Sequence, residues 1–425
     1  MAPIEGPGAY DDAPMSEPQA RDSTIVVVGA SLAGLRAAEE VRHEGHNGPV
    51  IIVGDETHAP YDRPPLSKQL LAGTWDVARV HHHAPDKLDT LGLEFRLGRR
   101  ALSLDTDTRT VQCDDGRSLH YDGLIVATGA RARRLPGADG MPGVRTLRTL
   151  DDCFGIRADL EGAGSGARLV VIGAGFIGSE VAATCHGLGA RVTVVEALPT
   201  PLSRVLGDEM GGACAQLHRA QGVTVLTGAL VDRVSAHPGA PTPVVVHLLD
   251  GTDLEADLVV VGIGVAPAVE WLEGSGLTLD NGVVCNEALG AGDGVVAAGD
   301  VARWTHPGMG EQLRIEHWTN AAEGGAAAAR NLLAGSDAAQ PYDPVPFFWS
   351  DQYTTKIQMI GLPGPEDEVV VVEGSVEEGQ LVALYRRGDR LRAALGFSRP
   401  RHLMGYRPLL AAGASFDEAL ALARS

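Results

Sequence analysis

Two short glycine-rich segments constrain this chain more than any other feature. The first reads GASLAG over residues 29–34 and the second GAGFIG over residues 173–178, and each lies between a valine-rich run and an alanine-rich stretch. In a strand-turn-helix setting, such a loop lets the backbone approach a pyrophosphate at a helix N-terminus. The chain is therefore predicted to bind two dinucleotides.

Each loop is followed by an acidic residue at the distance from which a carboxylate accepts hydrogen bonds from a ribose, about 20 residues on. After the first loop the run at 50–53 leads to Asp55 and Glu56, and after the second the run at 192–195 leads to Glu196. The spacing makes Asp55 and Glu56 the candidates for holding the first ribose. Glu196 favours a free 2'-hydroxyl and repels a 2'-phosphate, so NADH is expected over NADPH.

The fold class follows from seven short valine and isoleucine runs that alternate with longer helical stretches. They are predicted to be buried parallel strands and lie at residues 25–28, 50–53, 124–126, 169–172, 192–195, 258–261 and 295–296. Segments 101–121 and 231–254 alternate in polarity and contain Asp-Gly turns, which predicts two small antiparallel meanders. After residue 341 the pattern predicts antiparallel strands and a closing helix at 416–424, typical of an α+β domain.

Composition excludes several classes of function. A net charge of −20 argues against nucleic acid and anionic membrane surfaces as partners, and no apolar run is long enough to span a membrane. The five cysteines form no C-x-x-C pair, which indicates a reducing, cytoplasmic setting. Adjacent histidines at 81–83 lack nearby acidic or cysteine ligands and are interpreted as a solvated loop, so no metal site is expected.

Six further motifs identify a family. They are PYDRPPLSK (60–68), ATGA (127–130), WLEGSG (271–276), AAGD (297–300), RIEHW (314–318) and FWSDQY (348–353). Together they resemble the FAD-dependent pyridine-nucleotide oxidoreductases, and within them the ferredoxin reductases that serve cytochrome P450 and ring-hydroxylating oxygenase systems. The resemblance covers most of the chain, although Ser31 stands where the first loop would have its second glycine.

The resemblance implies an NADH:ferredoxin reductase with the architecture of glutathione reductase. A hydride would pass from NADH to FAD, and single electrons would then pass to a [2Fe-2S] ferredoxin that supplies the oxygenase. An alternative is a redox-sensing interaction protein that resembles apoptosis-inducing factor. A flavin disulfide reductase would need a redox cysteine beside the flavin, and Cys113 and Cys153 lie outside the expected positions.

The composition of the N-terminal segment, the change of pattern after residue 341 and the resemblance together predict the domain boundaries. Residues 1–22 are expected to form a disordered tail, residues 23–128 and 262–341 a discontinuous FAD-binding domain, residues 129–261 an NAD-binding domain, and residues 342–425 the C-terminal α+β domain. The first and second of the folded domains are Rossmann-like.

Lys68 is the strongest candidate for a catalytic residue, because the chain has only three lysines, Lys68, Lys87 and Lys356. The resemblance puts its ammonium beside flavin N5, where it would stabilise the charge of the reduced ring, and makes Glu180 its partner. An alternative role for Glu180 is to complement a helix dipole.

The resemblance also implies which residues line each cofactor, and it favours Asp55 for the adenosine ribose, with Glu56 as the alternative if the strand end is shifted by one residue. For FAD they are Gly29, Ser31, Ala33, Gly34, Asp55, Glu56, Arg63, Lys68, Ala101 through its backbone, Ala127, Thr128, Gly129, Arg148, Gly299, Asp300, Glu316, His317 and Trp318. For NADH they are Gly173, Gly175, Phe176, Ile177, Gly178, Glu180, Glu196, Gly262, Ile263 and Gly264.

The ferredoxin-docking surface is the least determined feature. Ferredoxins of this kind are usually acidic, so a basic patch is expected on this acidic protein. The candidates lie in the C-terminal domain and are Arg386, Arg387, Arg390, Arg392, Arg399 and Arg401, which are equally consistent with solvated charge on a β-surface.

Overall fold

The computed structural model describes residues 18–236 and 244–424. Most of the expected N-terminal tail, residues 1–17, lies outside the described residues. Residues 18–22 already make backbone hydrogen bonds, from Gln19 N to Leu333 O at 3.2 Å and from Asn47 N to Arg21 O at 2.8 Å. The described chain therefore makes tertiary contacts before the boundary expected at residue 23.

The elements of the described chain are listed in chain order. The strands are β1 (Ile25–Val28), β2 (Val50–Gly54), β3 (Glu94–Leu97), β4 (Ala101–Asp105), β5 (Thr110–Cys113), β6 (Ser118–His120), β7 (Gly123–Val126), β8 (Ala130–Ala132), β9 (Val144–Thr146), β10 (Arg168–Ile172), β11 (Arg191–Glu196), β12 (Thr224–Thr227), β13 (Val231–Ala236), β14 (Val244–Leu248), β15 (Asp253–Ala256), β16 (Leu258–Val261), β17 (Val265–Pro267), β18 (Val283–Cys285), β19 (Gly290–Gly292), β20 (Val295–Ala297), β21 (Ala302–His306), β22 (Glu311–Leu313), β23 (Phe347–Gln352), β24 (Thr355–Gly361), β25 (Glu368–Ser375), β26 (Gln380–Arg387) and β27 (Arg390–Phe397). The helices are α1 (Leu32–His43), α2 (Pro85–Thr90), α3 (Leu150–Ala163), α4 (Phe176–Gly187), α5 (Ser203–Ala220), α6 (Trp318–Ala334), α7 (Pro400–Met404), α8 (Arg407–Ala411) and α9 (Phe416–Ala423).

These elements form two compact units. Unit 1 contains the chain up to Asp62 together with His81–Arg131 and Ala266–Pro346, and unit 2 contains Arg63–Val80, Ala132–Val265 and the chain from Phe347 onward. Strands β8 and β17 form a separate two-stranded sheet. None of the helices in the described residues is both long and apolar enough to cross a membrane.

Unit 1 is built on a six-stranded sheet in the order β19-β20-β7-β1-β2-β3, in which only the edge strand β19 is antiparallel. Helix α1 leaves β1 and packs closely against α6. A Cβ at Gly325 of α6 would lie 2.3 Å from Ala33 O of α1, so only glycine permits this approach. The predicted meander at 101–121 is the antiparallel sheet β4-β5-β6.

Unit 2 contains a second parallel sheet in the order β12-β11-β10-β16-β9, and the predicted meander at 231–254 is its antiparallel neighbour β13-β14-β15. The C-terminal sheet, in the order β23-β24-β27-β26-β25, is antiparallel throughout. Leu206 and Met210 of α5 pack into one buried cluster with Met359 and Leu395 of this sheet. Helix α5 thus forms part of the hydrophobic core of the C-terminal sheet.

The fold class and the strand predictions are confirmed. The seven valine-rich runs are β1, β2, β7, β10, β11, β16 and β20. Their residues are buried because helices or further strands cover the sheets, which is why these strands lack alternating polarity. The closing helix also forms, as α9.

A histidine is buried where the C-terminal sheet meets α5. His218 of α5 is 3% exposed, and its Nδ1 lies 2.8 Å from the hydroxyl of Tyr353 in the β23–β24 turn. Burial lowers the pKa of His218 to about 4, because the cation would lose its hydration there. His218 is therefore neutral in the folded protein near pH 7.

This histidine predicts a pH-dependent stability. In the unfolded chain a histidine binds a proton below about pH 6.5, whereas folded His218 resists protonation until about pH 4, so the free energy of unfolding should fall as pH drops through this window. The full contribution is about 3 kcal/mol. Urea denaturation between pH 7 and pH 4 measures it. His218→Asn, which keeps a polar atom near Tyr353, should flatten the profile, and a wild-type slope in this variant would contradict the assignment.

Candidate functional site

The first loop is shaped by close contacts within unit 1. A Cβ at Gly29 would lie 2.0 Å from Ala127 O, and one at Gly34 would lie 1.8 Å from Gly29 O. Gly29 also has a φ of +122°, which side chains other than glycine's rarely allow. The glycines at the two ends of this loop are therefore required by the packing of β1, β7 and α1.

The second loop repeats this geometry in unit 2. A Cβ at Gly173 would lie 2.4 Å from Gly262 O, and one at Gly178 would lie 2.1 Å from Gly173 O. Gly173 has a φ of +99°. The segment at 262–264 thus lies against the loop in the same way as Ala127 lies against the first one.

The middle position of the second loop faces open space. A Cβ at Gly175 would meet nothing closer than Gly262 O at 4.0 Å, so packing does not require glycine there. Gly175 and Ser31 are the N-cap residues of α4 and α1, and neither helix has an acidic residue in its first turn. The first-turn amides of such a helix end, with no acidic side chain beside them, fit a pyrophosphate. The packing of the second loop therefore does not by itself require glycine at its middle position.

Glu196 at the end of β11 is fixed to the second loop by both of its carboxylate oxygens. Ala174 N donates to Oε2 and Leu198 N donates to Oε1, each at 2.8 Å. A carboxylate has about four acceptor positions, so two remain for other donors. Exposed side chains lie near this loop, with Ile177 47% exposed and Ile263 38% exposed. An anchored acid and uncovered apolar side chains fit the ribose and a flat ring of a dinucleotide.

The first acidic position is displaced by one residue. The carbonyl oxygens of Val53 and Val195 each accept a hydrogen bond from the backbone amide of the first glycine of the loop, so these two valines occupy equivalent positions. The residue that corresponds to Glu196 is therefore Gly54 and not Asp55. A Cβ at Gly54 would lie 2.5 Å from the Cβ of Ala30, which excludes a side chain there. Asp55 follows, exposed, with Arg131 Nη2 at 3.9 Å from its carboxylate.

Glu56 has a different environment from Asp55. Its Oε2 accepts a hydrogen bond from the Tyr61 hydroxyl at 2.5 Å. This bond ties Glu56 to the start of the YDRPPLSK segment. The exposed Asp55 carboxylate has more room for a ribose hydroxyl.

Several other predicted residues converge on the start of α1 in unit 1. Gly299 has a φ of +73°, and a Cβ there would lie 2.9 Å from the Cβ of Ala33, which places the short 3-10 turn Gly299–Val301 and its Asp300 next to α1. Thr128 Oγ1 donates to Ala268 O at 2.8 Å, just before Gly129. The predicted residues of β1, β7 and β20 thus meet at the carboxyl ends of adjacent parallel strands.

The RIEHW motif leads into α6. Trp318 is the last residue of the motif and the first of α6, and its Nε1 donates to Asp62 Oδ1 at 2.6 Å. Glu316 pairs with Arg314 at 2.7 Å. Burial lowers the pKa of His317 to about 4, although the charge of Asp300 opposes the shift. Ala101 is buried at the start of β4.

Two predicted arginines meet in unit 2. Arg63 Nη1 donates to the carbonyl oxygen of Arg148 at 2.5 Å. Arg148 precedes α3, whose first turn is closed by a capping box between Thr149 and Asp152. The start of the 63–80 segment is thereby tied to the N-terminus of α3.

Lys68 and Glu180 form a buried ion pair in unit 2. Lys68 Nζ lies 2.8 Å from Glu180 Oε2, and the two side chains are 11% and 3% exposed. Glu180 also accepts from Ser67 Oγ at 2.5 Å, from Ser350 Oγ at 2.8 Å and from Asp351 N at 3.3 Å. Lys68 has no second acceptor among the described residues, so two of its three N–H donors are available to a ligand or water.

Sequence reasoning missed Ser67 and Ser350 as partners of Glu180. Both belong to motifs that had been singled out, PYDRPPLSK and FWSDQY, but neither spacing nor periodicity brings positions 67, 180 and 350 together. Phe176 was expected to line NADH, and its ring lies 4.6 Å from that of Phe348, centroid to centroid.

The cysteines are buried as expected from the sequence, whereas the histidine tract is not the solvated loop that the sequence suggested. All five cysteines are buried free thiols, and burial raises the pKa of Cys153 to about 11 and that of Cys185 to about 12. The histidine tract at 81–83 is half-buried, and His83 pairs with Glu39 of α1. The interpretation of the tract as a solvated loop was wrong, because the segment packs on α1.

The candidate basic patch is partly neutralised within unit 2. Arg386 pairs with Glu368 at 2.7 Å, Arg387 with Asp367 at 2.7 Å and Arg399 with Glu373 at 3.0 Å. Arg392 also lies 3.9 Å from Asp367, and Arg390 donates to Gly413 O at 3.2 Å. Three carboxylates thus offset part of the charge of the six candidate arginines, and Arg401 lies exposed.

Comparisons with known proteins cover most of the described chain. Residues 23–325 match the model of the pyridine nucleotide-disulphide oxidoreductase family, and residues 347–425 match the reductase C-terminal family. The rhodocoxin reductase of Rhodococcus erythropolis is 37% identical over 94% of this chain and 95% of its own length. The ferredoxin–NAD(+) reductase component of the anthranilate 1,2-dioxygenase system of Burkholderia cepacia is 36% identical over 92% of this chain and 95% of its own length.

A solved structure gives the same result. The covalent complex of putidaredoxin reductase with putidaredoxin contains a chain that matches with a TM-score of 0.86 and 35% identity, over 92% of this chain and 93% of that one. The resemblance inferred from the motifs is confirmed.

The loop geometry predicts different effects for two alanine substitutions. Gly178→Ala should lower the free energy of unfolding by about 1–3 kcal/mol, because its Cβ would overlap Gly173 O. Gly175→Ala should leave stability near that of the wild type but weaken NADH binding, because its Cβ enters open space. Urea denaturation and NADH titration measure the two effects. Equal stability losses in both variants would contradict the division between packing and ligand positions.

Proposed function

The chain belongs to the pyridine nucleotide-disulphide oxidoreductase family, and on that premise we propose that it is an FAD-dependent NADH:ferredoxin reductase. Its electrons pass to a [2Fe-2S] ferredoxin that serves a cytochrome P450 or a ring-hydroxylating oxygenase. The observation that carries the proposal is the buried Lys68 ammonium, which is paired with Glu180 and has two N–H donors available to a ligand. Relatives named as reductases of such systems support it.

Each of the two glycine loops binds one cofactor. The loop at 29–34 holds the pyrophosphate of FAD, with Asp55 on the adenosine ribose and Asp300 on the ribityl chain. The loop at 173–178 holds the pyrophosphate of NADH. In this division residues 23–128 and 262–341 are the FAD-binding domain, residues 129–261 the NAD-binding domain and residues 342–425 a third domain.

Bound FAD supplies the redox chemistry, since it accepts a hydride from NADH and releases electrons singly. Lys68 offers its remaining N–H donors to the negative charge that reduction places on the ring. A fixed ammonium with little solvent access stabilises such charge more than a solvated one would. Glu180 keeps that ammonium in place and balances its charge.

Electrons leave without a cysteine relay. Each of the five cysteines is buried, and the raised pKa of the thiols at positions 153, 185, 214 and 285 disfavours the reactive thiolate. Free thiols of this kind suit a reducing compartment, so we place the reaction in the cytoplasm.

Glu196 selects NADH. Because backbone amides hold both oxygens, the carboxylate cannot turn away from a 2'-phosphate, and the resulting repulsion favours NADH over NADPH. Glu196→Ser should lower NADH affinity and raise the use of NADPH relative to NADH by about tenfold. Steady-state kinetics with both nucleotides measures the ratio. Glu377→Ser, on an exposed turn, is the matched control. An unchanged preference in Glu196→Ser would place the ribose acid elsewhere.

The reductase assignment is tested by turnover with isolated components. The purified flavoprotein should pass electrons from NADH to at least one [2Fe-2S] ferredoxin from the same genome faster than it reduces oxygen. Ferricyanide, which accepts electrons from exposed flavins without specific docking, is the control acceptor. Ferricyanide reduction without ferredoxin reduction would overturn the assignment and favour a redox-sensing protein.

A further inference from the structure

We propose that Ser350, on the first strand of the C-terminal sheet, is a positioning residue that holds Glu180 and, through it, Lys68. The role of Lys68 in this inference rests on the proposed function. The hydrogen bonds that carry the inference do not, because they lie entirely within unit 2. They give the C-terminal sheet a part in the reaction in addition to any part in docking.

The acceptor positions of Glu180 are all in use. Oε2 accepts from Lys68 Nζ at 2.8 Å and Ser67 Oγ at 2.5 Å, while Oε1 accepts from Ser350 Oγ at 2.8 Å and Asp351 N at 3.3 Å. A carboxylate has about four lone-pair positions. With its residue 2% exposed, Glu180 has no acceptor position left for a ligand. Glu180 therefore influences a bound ring through Lys68.

The two oxygens differ in how much each depends on a single donor. Oε2 has two short bonds, both from the segment that carries Lys68. Oε1 has one short bond, from Ser350, and a long one from a backbone amide. Loss of the Ser350 hydroxyl would leave Oε1 poorly satisfied in a buried site, and the carboxylate would rotate to recover a bond. Rotation changes the position of the oxygen that Lys68 contacts.

The position of Ser350 is fixed by burial, strand pairing and hydrogen bonds. It is 0% exposed, and its strand pairs in register with β24, where Ser350 lies opposite Ile357. Its hydroxyl donates to Glu180 and accepts a long bond from Gln352 Nε2 at 3.4 Å. Phe348, two residues earlier on the same face of the strand, packs against Phe176 of α4. The strand that carries Ser350 is thereby held against the helix that carries Glu180.

The small number of lysines makes the proposal directly testable. A limiting amount of a lysine-modifying reagent, followed by peptide mass spectrometry of the holoenzyme, reports on only Lys68, Lys87 and Lys356. In Ser350→Ala we expect Lys68 to react about threefold to tenfold faster, since the loss of one hydrogen bond to a charged group loosens the pair by about that factor. Lys87 and Lys356 should keep their wild-type rates and serve as internal references.

The second measurement is the reduction potential of the bound flavin. A looser Lys68 stabilises the reduced ring less, so the potential should fall in Ser350→Ala, with the equilibrium against NADH shifted roughly tenfold. Ser375→Ala, in β25 of the same sheet, is the matched control and should change neither quantity. Ser350→Cys, which keeps the volume but donates weakly, should move both in the same direction and covers the case in which the alanine variant does not fold.

These outcomes decide the proposal. Unchanged labelling of Lys68 together with an unchanged potential in a folded Ser350 variant would overturn it. An equal rise in the labelling of all three lysines would also overturn it, since that indicates general loosening. The labelling requires neither NADH nor a ferredoxin, so a failure of ferredoxin turnover would overturn the proposed function while leaving the positioning result intact.

Discussion

A carboxylate that is removed from water has to fill its acceptor positions from within the protein, and Glu180 does so with donors from two distant segments. The helix that begins at the second glycine loop supplies the acid. The YDRPPLSK segment supplies Ser67 and Lys68, and the C-terminal sheet supplies Ser350 and the amide of Asp351. Neighbouring bonds strengthen the junction, since Thr184 Oγ1 donates to Ser67 O at 2.8 Å and Cys153 Sγ donates to Leu66 O at 3.3 Å. The position of the one buried ammonium of the candidate site depends on this junction.

The two glycine loops show how one local geometry can serve two purposes. Packing requires the glycines at the two ends of each loop. A Cβ there would come within 2.4 Å of a carbonyl oxygen, either of the loop or of the residue that follows a neighbouring strand. In the second loop the middle position, Gly175, has no such close neighbour, so packing does not require glycine there. A motif mismatch at such a position therefore weakens a ligand prediction more than a fold prediction.

Charge is used locally in this acidic protein. Arginines on the C-terminal sheet pair with Glu368, Asp367 and Glu373, and the exposed pair of Arg386 with Glu368 contributes little to stability. The Lys68–Glu180 pair differs because it is buried, and its role is to fix the position of the Lys68 ammonium. A guanidinium in its place would impose a planar fork instead of a movable point charge.

Sequence by itself determined the α/β class, the seven buried strands, both meanders, the dinucleotide loops and the family, because each depends on contiguous residues whose periodicity or spacing encodes local geometry. It also indicated Glu196, since an acid at the end of a strand beside a glycine loop is a short-range pattern. Only the tertiary structure decided that Gly54 displaces the first acid to Asp55 and that the histidine tract packs on α1. It alone placed Ser67 and Ser350 on Glu180. Those contacts join residues 113 and 170 positions apart, and no local pattern specifies which distant hydroxyl will satisfy a buried carboxylate.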